Sequence, residues 1–126
     1  TPHPKEMSRL IGLSTQEIQK NRMHVTTEFA QKHSTLLLLK GAPSLIGTPD
    51  GNIYINPTGN PGMATGGSGD VLTGIIAAFI AQNMPLMEAA VCGAFLHGKA
   101  GDQAAVLGER GLLASDLMPY IRRVVN

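Results

Sequence analysis

Residues 56–81 constrain the fold of this chain most, because a glycine-rich run leads directly into an apolar helical pattern. Glycines allow a sharp turn in which backbone N–H groups converge on one point. The following helix, predicted over residues 71–81, adds its unpaired N–H groups and the positive end of its dipole. The pattern therefore predicts a loop that binds an anion such as phosphate. The residues of this glycine loop are Gly66, Gly67, Ser68 and Gly69.

Asp70 follows the glycine loop and sets a carboxylate beside the predicted anion site. Phosphoryl transfer needs such a pair, a stabiliser of negative charge and a general base. The ordinary alternative is a turn and a helix cap, where glycine and aspartate are common. A long irregular Asn/Pro/Gly/Thr segment precedes the loop, and a simple turn needs less. We therefore interpret Asp70 as the candidate catalytic base.

Two familiar phosphate-binding motifs are excluded by their spacing. The sequence contains no Gly-x-x-x-x-Gly-Lys-Ser/Thr, which excludes a P-loop. The dinucleotide fingerprint requires glycine three residues after Gly69, and Leu72 stands there instead. The glycine loop must therefore belong to another kind of phosphate site, or to none.

A second candidate loop follows the apolar run of residues 35–39, which predicts a central strand buried on both faces. Ligands of open α/β sheets bind at the carboxyl ends of strands, so the loop is well placed for a phosphate contact. The alternative is a solvated lysine at a strand end. The residues of this loop are Lys40, Gly41, Ala42, Pro43 and Ser44.

Other candidate residues have weaker local signals. His3 lies between two prolines and could hydrogen-bond a ligand, although an exposed loop histidine is the commoner case. Glu6 suits the first turn of a helix, and Asn60 suits a turn. His97 is expected to be packed or hydrogen-bonded within a helix rather than catalytic. Cys92 is expected to be a small buried hydrophobe without a disulfide partner.

The element order predicts an α/β layer structure. The helix over residues 71–81 is apolar almost all round, so we expect it to be buried. Three glycines in the following helix would lower its stability unless they allow close packing or a bend. The other predicted elements are helices over residues 4–12, 14–32, 86–107 and 115–124, and hairpin strands over residues 44–48 and 52–55.

Composition bounds the function. The chain has 126 residues and a net charge of +1, which offers no electrostatic case for nucleic acid or an anionic membrane. Aromatic residues are scarce and no apolar run approaches membrane-spanning length, so we expect neither a nucleic-acid nor a membrane partner. A cytoplasmic location fits these features.

Several separated motifs together resemble the ADP/ATP-dependent NAD(P)H-hydrate dehydratases. The resemblance implies a ribokinase-like three-layer α/β/α fold, of which residues 1–126 would form the C-terminal portion of a single domain. The family's N-terminal half is then absent, and we expect these residues alone to be poorly stable or inactive. One departure is Lys5, where the family usually has glycine. The motifs lie at residues 1–6, 39–44, 56–60, 64–74, 96–98 and 114–117.

The resemblance also implies a repair reaction, in which hydrated NADH or NADPH is dehydrated while ADP or ATP loses its terminal phosphate. Asp70 would be the base and, with His3, would contact the hydrated dinucleotide. Mg²⁺ would assist without a protein metal cage, and the enzyme would be a homo-oligomer, by resemblance a tetramer. Nucleotide contacts are implied for Lys40, Gly41, Ala42, Pro43, Ser44, Asn60, Gly66, Gly67, Ser68 and Gly69.

Two other functions remain open on the sequence. A ribokinase-like kinase that phosphorylates a vitamin precursor or a sugar-like alcohol would use the same Asp70 and the same glycine loop. A nucleotide-binding module without turnover would use the loop alone. The stable product distinguishes the kinase from the dehydratase. The effect of replacing Asp70 distinguishes the binding module from both enzymes.

Overall fold

A computed structural model describes residues 1–125, which form two compact units. The first unit runs from Thr1 to Asn56, and the second begins at Pro57. The assignment of residues 1–126 to a single domain stays a prediction. None of the helices in residues 1–125 combines the length and the apolar character that a membrane span requires.

The first unit consists of three helices followed by three strands. Pro4 is the first helical residue and Gly12, in the left-handed conformation, ends the first helix, as the sequence predicted. The capping box of Ser14 is also confirmed. The elements are α1 (Pro4–Ile11), α2 (Thr15–Lys20), α3 (Arg22–Lys32), β1 (Leu37–Leu39), β2 (Ser44–Gly47) and β3 (Ile53–Asn56).

The prediction of a single helix over residues 14–32 is wrong, because the helix is interrupted at Asn21. Asn21 has a non-helical backbone (φ −128°, ψ 33°) and donates its side-chain N–H to the carbonyl of Glu17 at 3.3 Å. Asparagine side chains compete in this way with the helical hydrogen bonds of the backbone. Two helices therefore replace the predicted one.

The sheet is antiparallel, with the strand order β1-β2-β3. The predicted hairpin of β2 and β3 is confirmed, with Ile46 opposite Tyr54. Leu38 of β1 lies opposite Ile46 on the other side, and all three residues of β1 are buried as expected. Within residues 1–125, β1 lies at one edge of the three-stranded sheet, and its central position in a larger sheet stays a prediction.

The second unit contains α4 (Ser68–Ala81), α5 (Leu86–Ala104) and α6 (Met118–Val125), joined by irregular segments with short 3₁₀ turns. The start predicted for α4 was three residues late, because Gly67 has φ +87° and caps the helix directly before Ser68. Ser115 does not cap α6 as predicted. It lies within a 3₁₀ turn, Ala114–Leu117, that precedes the helix.

Two burial predictions in the second unit are wrong. Only Ser68, Leu72 and Ile76 of α4 are buried, so one face packs inward and the rest of this apolar helix is accessible. Cys92 is exposed rather than buried, because the buried face of α5 consists largely of alanines and glycines on the other side of the helix.

Glycines of α5 allow close packing, as the sequence predicted. A Cβ added at Gly93 would lie 2.6 Å from the side chain of Ile76 in α4. One at Gly98 would lie 2.7 Å from the carbonyl carbon of Thr58, and one at Gly101 would collide with Met63. The face of α5 is therefore flat where residues 58–63 cross it.

We predict opposite effects for two glycine-to-alanine substitutions in helices. Gly98→Ala should lower the free energy of unfolding by about 1–3 kcal/mol, because its methyl group meets the Thr58 backbone. Gly74→Ala is the control. Nothing lies within 4 Å of its Cβ position, so it should stabilise α4 by about 0.5–1 kcal/mol. Urea denaturation measures both values, and an unchanged stability for Gly98→Ala would contradict the close packing.

Candidate active site

The glycine loop presents free backbone donors at the start of α4. The carbonyl of Gly67 accepts the N–H groups of Asp70 at 3.0 Å and Val71 at 3.1 Å, which closes the first turn. Within residues 1–125, no acceptor takes the N–H groups of Gly66, Gly67 or Gly69. The Cβ position of Gly66 has nothing within 4 Å, so a ligand can approach the backbone closely. This geometry suits an anion.

Asp70 is the third residue of α4, and it is exposed. Its carboxylate makes no hydrogen bond or ion pair with residues 1–125. Gly67 occupies the cap position, and no side chain caps the helix. The alternative interpretation of Asp70 as a helix cap therefore lacks its hydrogen bond, whereas the carboxylate is available to accept a proton. Its catalytic role stays a prediction.

Ser68 differs from its neighbours in the loop because its side chain is turned inward. The side chain is buried, and its Oγ lies 3.3 Å from Nε2 of His97, which is also buried. The expectation that His97, in α5, is packed or hydrogen-bonded is confirmed, and its having no catalytic role stays a prediction. The N–H of Ser68 also has an internal acceptor, the Thr65 carbonyl at 3.4 Å, so the nucleotide contact of Ser68 stays a prediction.

Asp102 anchors the segment before the loop, a role that was not predicted from the sequence. The N–H of Gly59 donates to Oδ2 of Asp102 at 3.0 Å, and Nδ2 of Asn60 donates to Oδ1 at 3.1 Å. Asn60 Oδ1 in turn accepts the N–H of Gly62 at 3.1 Å. Both ends of the Asn60 amide are therefore occupied within the protein. The available signal was a carboxylate one helical turn after Gly98 on a glycine-lined face.

In the first unit, the loop after β1 exposes three of its predicted nucleotide contacts, Gly41, Ala42 and Pro43. Ser44 closes this loop, since its Oγ accepts the N–H of Gly41 at 3.4 Å and donates to the Gly41 carbonyl at 3.2 Å. The hydroxyl of Ser44 therefore has an internal role. Whether these residues contact a nucleotide stays a prediction.

Arg22 holds the same loop through hydrogen bonds to its backbone carbonyls. This role was not predicted from the sequence. Its Nη2 donates to the carbonyls of Pro43 at 2.6 Å and Leu39 at 3.4 Å, so one side chain spans the loop. Its Nε is buried without a partner in residues 1–125, and burial lowers the pKa of this guanidinium. The sequence did contain a signal, because Arg22 interrupts the apolar stripe of α3.

His3 and Lys40 come together through Glu6. The ring Nδ1 of His3 accepts the N–H of Glu6 at 3.0 Å, and Lys40 Nζ lies 3.6 Å from Glu6 Oε2. The backbone N–H of His3 lowers the pKa of the Glu6 carboxyl, and the nearby Lys40 charge lowers it further. The structure thus joins two residues that the sequence analysis considered separately.

A groove of about 450 Å³ also lies in the first unit, away from these residues. It is lined by Leu10, Leu13, Val25 and Phe29, with Glu28 and Lys32 among the polar residues at its wall. None of the predicted site residues borders it, so its size does not make it the active site.

Comparison with known proteins identifies the family. A sequence model of NAD(P)H-hydrate dehydratase matches residues 1–123. The chain belongs to the NAD(P)H-hydrate dehydratase family. The resemblance inferred from the motifs is thereby confirmed.

Two curated relatives match this chain along its whole length. The bifunctional NAD(P)H-hydrate repair enzyme Nnr of Moorella thermoacetica is 53% identical, and the match covers 24% of that enzyme. The ADP-dependent (S)-NAD(P)H-hydrate dehydratase of Neisseria meningitidis is 42% identical, with 43% of its length covered. The chain therefore spans about a quarter of the bifunctional relative and less than half of the dehydratase.

Solved structures confirm the fold. The ADP/ATP-dependent NAD(P)H-hydrate dehydratase of Bacillus subtilis, co-crystallised with ATP/Mg²⁺ and soaked with CoA, superposes with a TM-score of 0.94 at 35% identity. The match covers 98% of this chain and 46% of that one. A ribokinase-like superfamily protein of Enterococcus faecalis gives a TM-score of 0.73 at 32% identity, over 98% and 43% of the two chains. The chain thus has part of a ribokinase-like α/β fold.

We predict that Asp102 stabilises the segment around Asn60. Asp102→Ala leaves two donors without their charged acceptor, so the free energy of unfolding should fall by about 1.5–3 kcal/mol. Lys99→Ala on the same helix is the control, since Lys99 is exposed and should change stability by less than about 0.5 kcal/mol. Urea denaturation compares them. Equal stabilities for the two variants would contradict the anchoring role.

Proposed function

We propose that this chain carries nucleotide- and substrate-contacting residues of an enzyme that dehydrates hydrated NADH or NADPH. The reaction consumes ADP or ATP and releases AMP or ADP with phosphate. One observation carries the proposal. The Asp70 carboxylate is exposed and has no partner within residues 1–125, and it stands in the first helical turn beside glycine N–H groups that have no acceptor among the same residues. Membership of the dehydratase family supports the choice of substrate.

The first step is phosphoryl transfer to the hydroxyl on carbon six of the nicotinamide ring. Asp70 accepts the hydroxyl proton while the hydroxyl oxygen bonds to the terminal phosphorus of the nucleotide. The bond from that phosphorus to the departing AMP or ADP breaks. Negative charge on the transferred group is stabilised by the N–H groups of Gly66, Gly67 and Gly69, because no acceptor within residues 1–125 occupies them before the reaction.

The second step is elimination. Hydroxide is a poor leaving group, whereas phosphate leaves readily once the oxygen has been phosphorylated. The carbon–oxygen bond breaks with its electrons going to phosphate, and loss of a proton from the neighbouring ring carbon restores the double bond. The products are NADH or NADPH, inorganic phosphate and the shortened nucleotide.

The remaining predicted residues contact the two substrates. Lys40 contributes a positive charge to the nucleotide phosphates, with the backbone of residues 41–44 beside it. His3 contacts the hydrated dinucleotide. Asn60 contributes through its backbone, since both ends of its side-chain amide are hydrogen-bonded inside the protein. Ser68 holds the loop in place, because its side chain lies against His97 and its N–H donates to the Thr65 carbonyl at 3.4 Å.

Mg²⁺ would neutralise the nucleotide phosphates when bound. No group of three or more His, Cys, Asp or Glu side chains that could hold a metal ion occurs within residues 1–125. Such a cage is not required, because Mg²⁺ is commonly held by substrate phosphates, water and one or two carboxylates. The exposed Asp70 is a carboxylate compatible with this arrangement, and we assign no residue of the chain as a dedicated ligand. We further propose a cytoplasmic homotetramer, by resemblance to the family.

Asp70→Asn should slow turnover strongly while the nucleotide still binds. Loss of a general base lowers kcat by roughly two to four powers of ten. Glu88→Gln is the matched control, because Glu88 is the exposed first-turn carboxylate of α5 and its removal changes a helix dipole in the same way. Absorbance of the reduced nicotinamide measures turnover of the hydrated cofactor with ADP and then with ATP, and calorimetry measures ADP binding.

Parallel losses of ADP affinity and rate in Asp70→Asn would mark Asp70 as structural instead. The kinase alternative predicts a different product, a stable phosphorylated alcohol without restored NADH or released phosphate. A module without turnover predicts that the Asp70→Asn and Glu88→Gln variants behave alike.

A further inference from the structure

His3 caps α1 in an unusual way. Because Pro4 follows it, its backbone is extended (φ −82°, ψ 168°), and it takes a cap position that serine, threonine, aspartate or asparagine usually holds. The ring Nδ1 accepts the N–H of Glu6 at 3.0 Å. A ring nitrogen that accepts carries no proton, so Nε2 carries it in the neutral ring. The cap thereby selects one tautomer of His3, with Nε2–H as donor.

The Glu6 carboxylate faces both His3 and Lys40. Its Oε2 accepts the backbone N–H of His3 at 2.7 Å and lies 3.6 Å from Lys40 Nζ. Its Oε1 lies 3.4 Å from Nε2 of His3. Lys40 is tied to the same place a second time, since its backbone N–H donates to the Pro2 carbonyl at 2.9 Å. Two links therefore join the end of β1 to the start of α1.

A second capping box in the same unit shows what capping alone requires. Glu17 accepts the N–H of Ser14 at 2.8 Å and its hydroxyl at 2.6 Å, and the N–H of Glu17 donates back to Ser14 Oγ. No lysine or histidine forms an ion pair with Glu17 within residues 1–125. A capping glutamate therefore needs no cationic neighbour, whereas Glu6 has two basic side chains around it.

We propose that Glu6 is a positioning residue that keeps His3 as an Nε2–H donor and holds Lys40 beside it. This inference rests on the proposed function, which assigns His3 to the hydrated dinucleotide and Lys40 to the nucleotide phosphates. One carboxylate then fixes the separation between a donor for the first substrate and a positive charge for the second.

The kinetic test compares Glu6→Gln with Glu17→Gln in the enzyme. Glutamine keeps an oxygen that can accept the cap N–H, but it removes the negative charge opposite Lys40. Glu6→Gln should raise KM for the nucleotide and for the hydrated cofactor by about two- to fivefold, the range expected for an exposed ion pair. Its kcat should change by less than about twofold, and Glu17→Gln should move neither constant. Equal KM values in the two variants, or a fall in kcat alone, would overturn the proposal.

The tautomer is tested separately by nitrogen NMR of the histidine rings in the unliganded wild-type protein, at a pH where the His3 ring is neutral. We expect the proton of His3 on Nε2, with Nδ1 unprotonated. A proton on Nδ1 would contradict the proposal. If the wild-type enzyme fails to turn over the hydrated cofactor, the proposed function fails. The wild-type ring spectrum then still tests the tautomer of His3, and ADP titrations of the two variants still decide whether Glu6 positions Lys40.

Discussion

Close approach to the glycines of α5 is the constraint on which the second unit depends. Gly98 and Gly101 allow Thr58 and Met63 to pack directly against the helix backbone. A Cβ atom at either glycine would overlap with these neighbours. A helical glycine costs up to about 1 kcal/mol relative to alanine, so the close contact has to offset that loss. On this flat face, Asp102 accepts hydrogen bonds from the segment around Asn60, and His97 is hydrogen-bonded to Ser68 at the start of α4. One helix therefore positions both the irregular segment and the anion-binding turn.

The first unit fixes its candidate residues by a different device. Arg22 reaches from α3 to the carbonyls on both sides of the loop after β1, and Lys40 returns to the start of α1 through its backbone and its side chain. These contacts are charged or involve backbone carbonyls, so they hold the loop while its exposed backbone stays accessible. In both units, residues outside the predicted site keep the site in place.

Local signals in the sequence predicted much of this structure. The proline and glycine that bound α1, the capping box of Ser14 and the β2–β3 hairpin each depend on residues close together in the chain. The anion-binding turn was also predicted, although α4 begins at Ser68, because a left-handed Gly67 is itself the cap. The asparagine that breaks the second helix acts locally as well, but its signal was overridden by the apolar repeat.

The errors and omissions arise from long-range packing. The exposure of one side of α4 and of the Cys92 side chain depends on where neighbouring helices pack. The hydrophobic character of the residues alone does not specify that packing. Asp102 accepts hydrogen bonds from Asn60 and Gly59, which precede it by 42 and 43 positions in the sequence. Arg22 donates to the carbonyl of Pro43, which follows it by 21 positions. No periodicity within a short window can indicate such partners. The spacing of the glycine loop and Asp70 fits a dehydratase, a kinase or a binding module equally well. The family resemblance favoured the dehydratase among them.

In the proposed reaction, the ring hydroxyl is phosphorylated before it leaves. Hydrated cofactor labelled with ¹⁸O in that hydroxyl tests it directly, because phosphorylation retains the oxygen when the carbon–oxygen bond later breaks. Mass spectrometry of the released phosphate should find one labelled oxygen in each molecule when unlabelled ADP is used. Unlabelled phosphate, with the heavy oxygen recovered in water, would contradict the account.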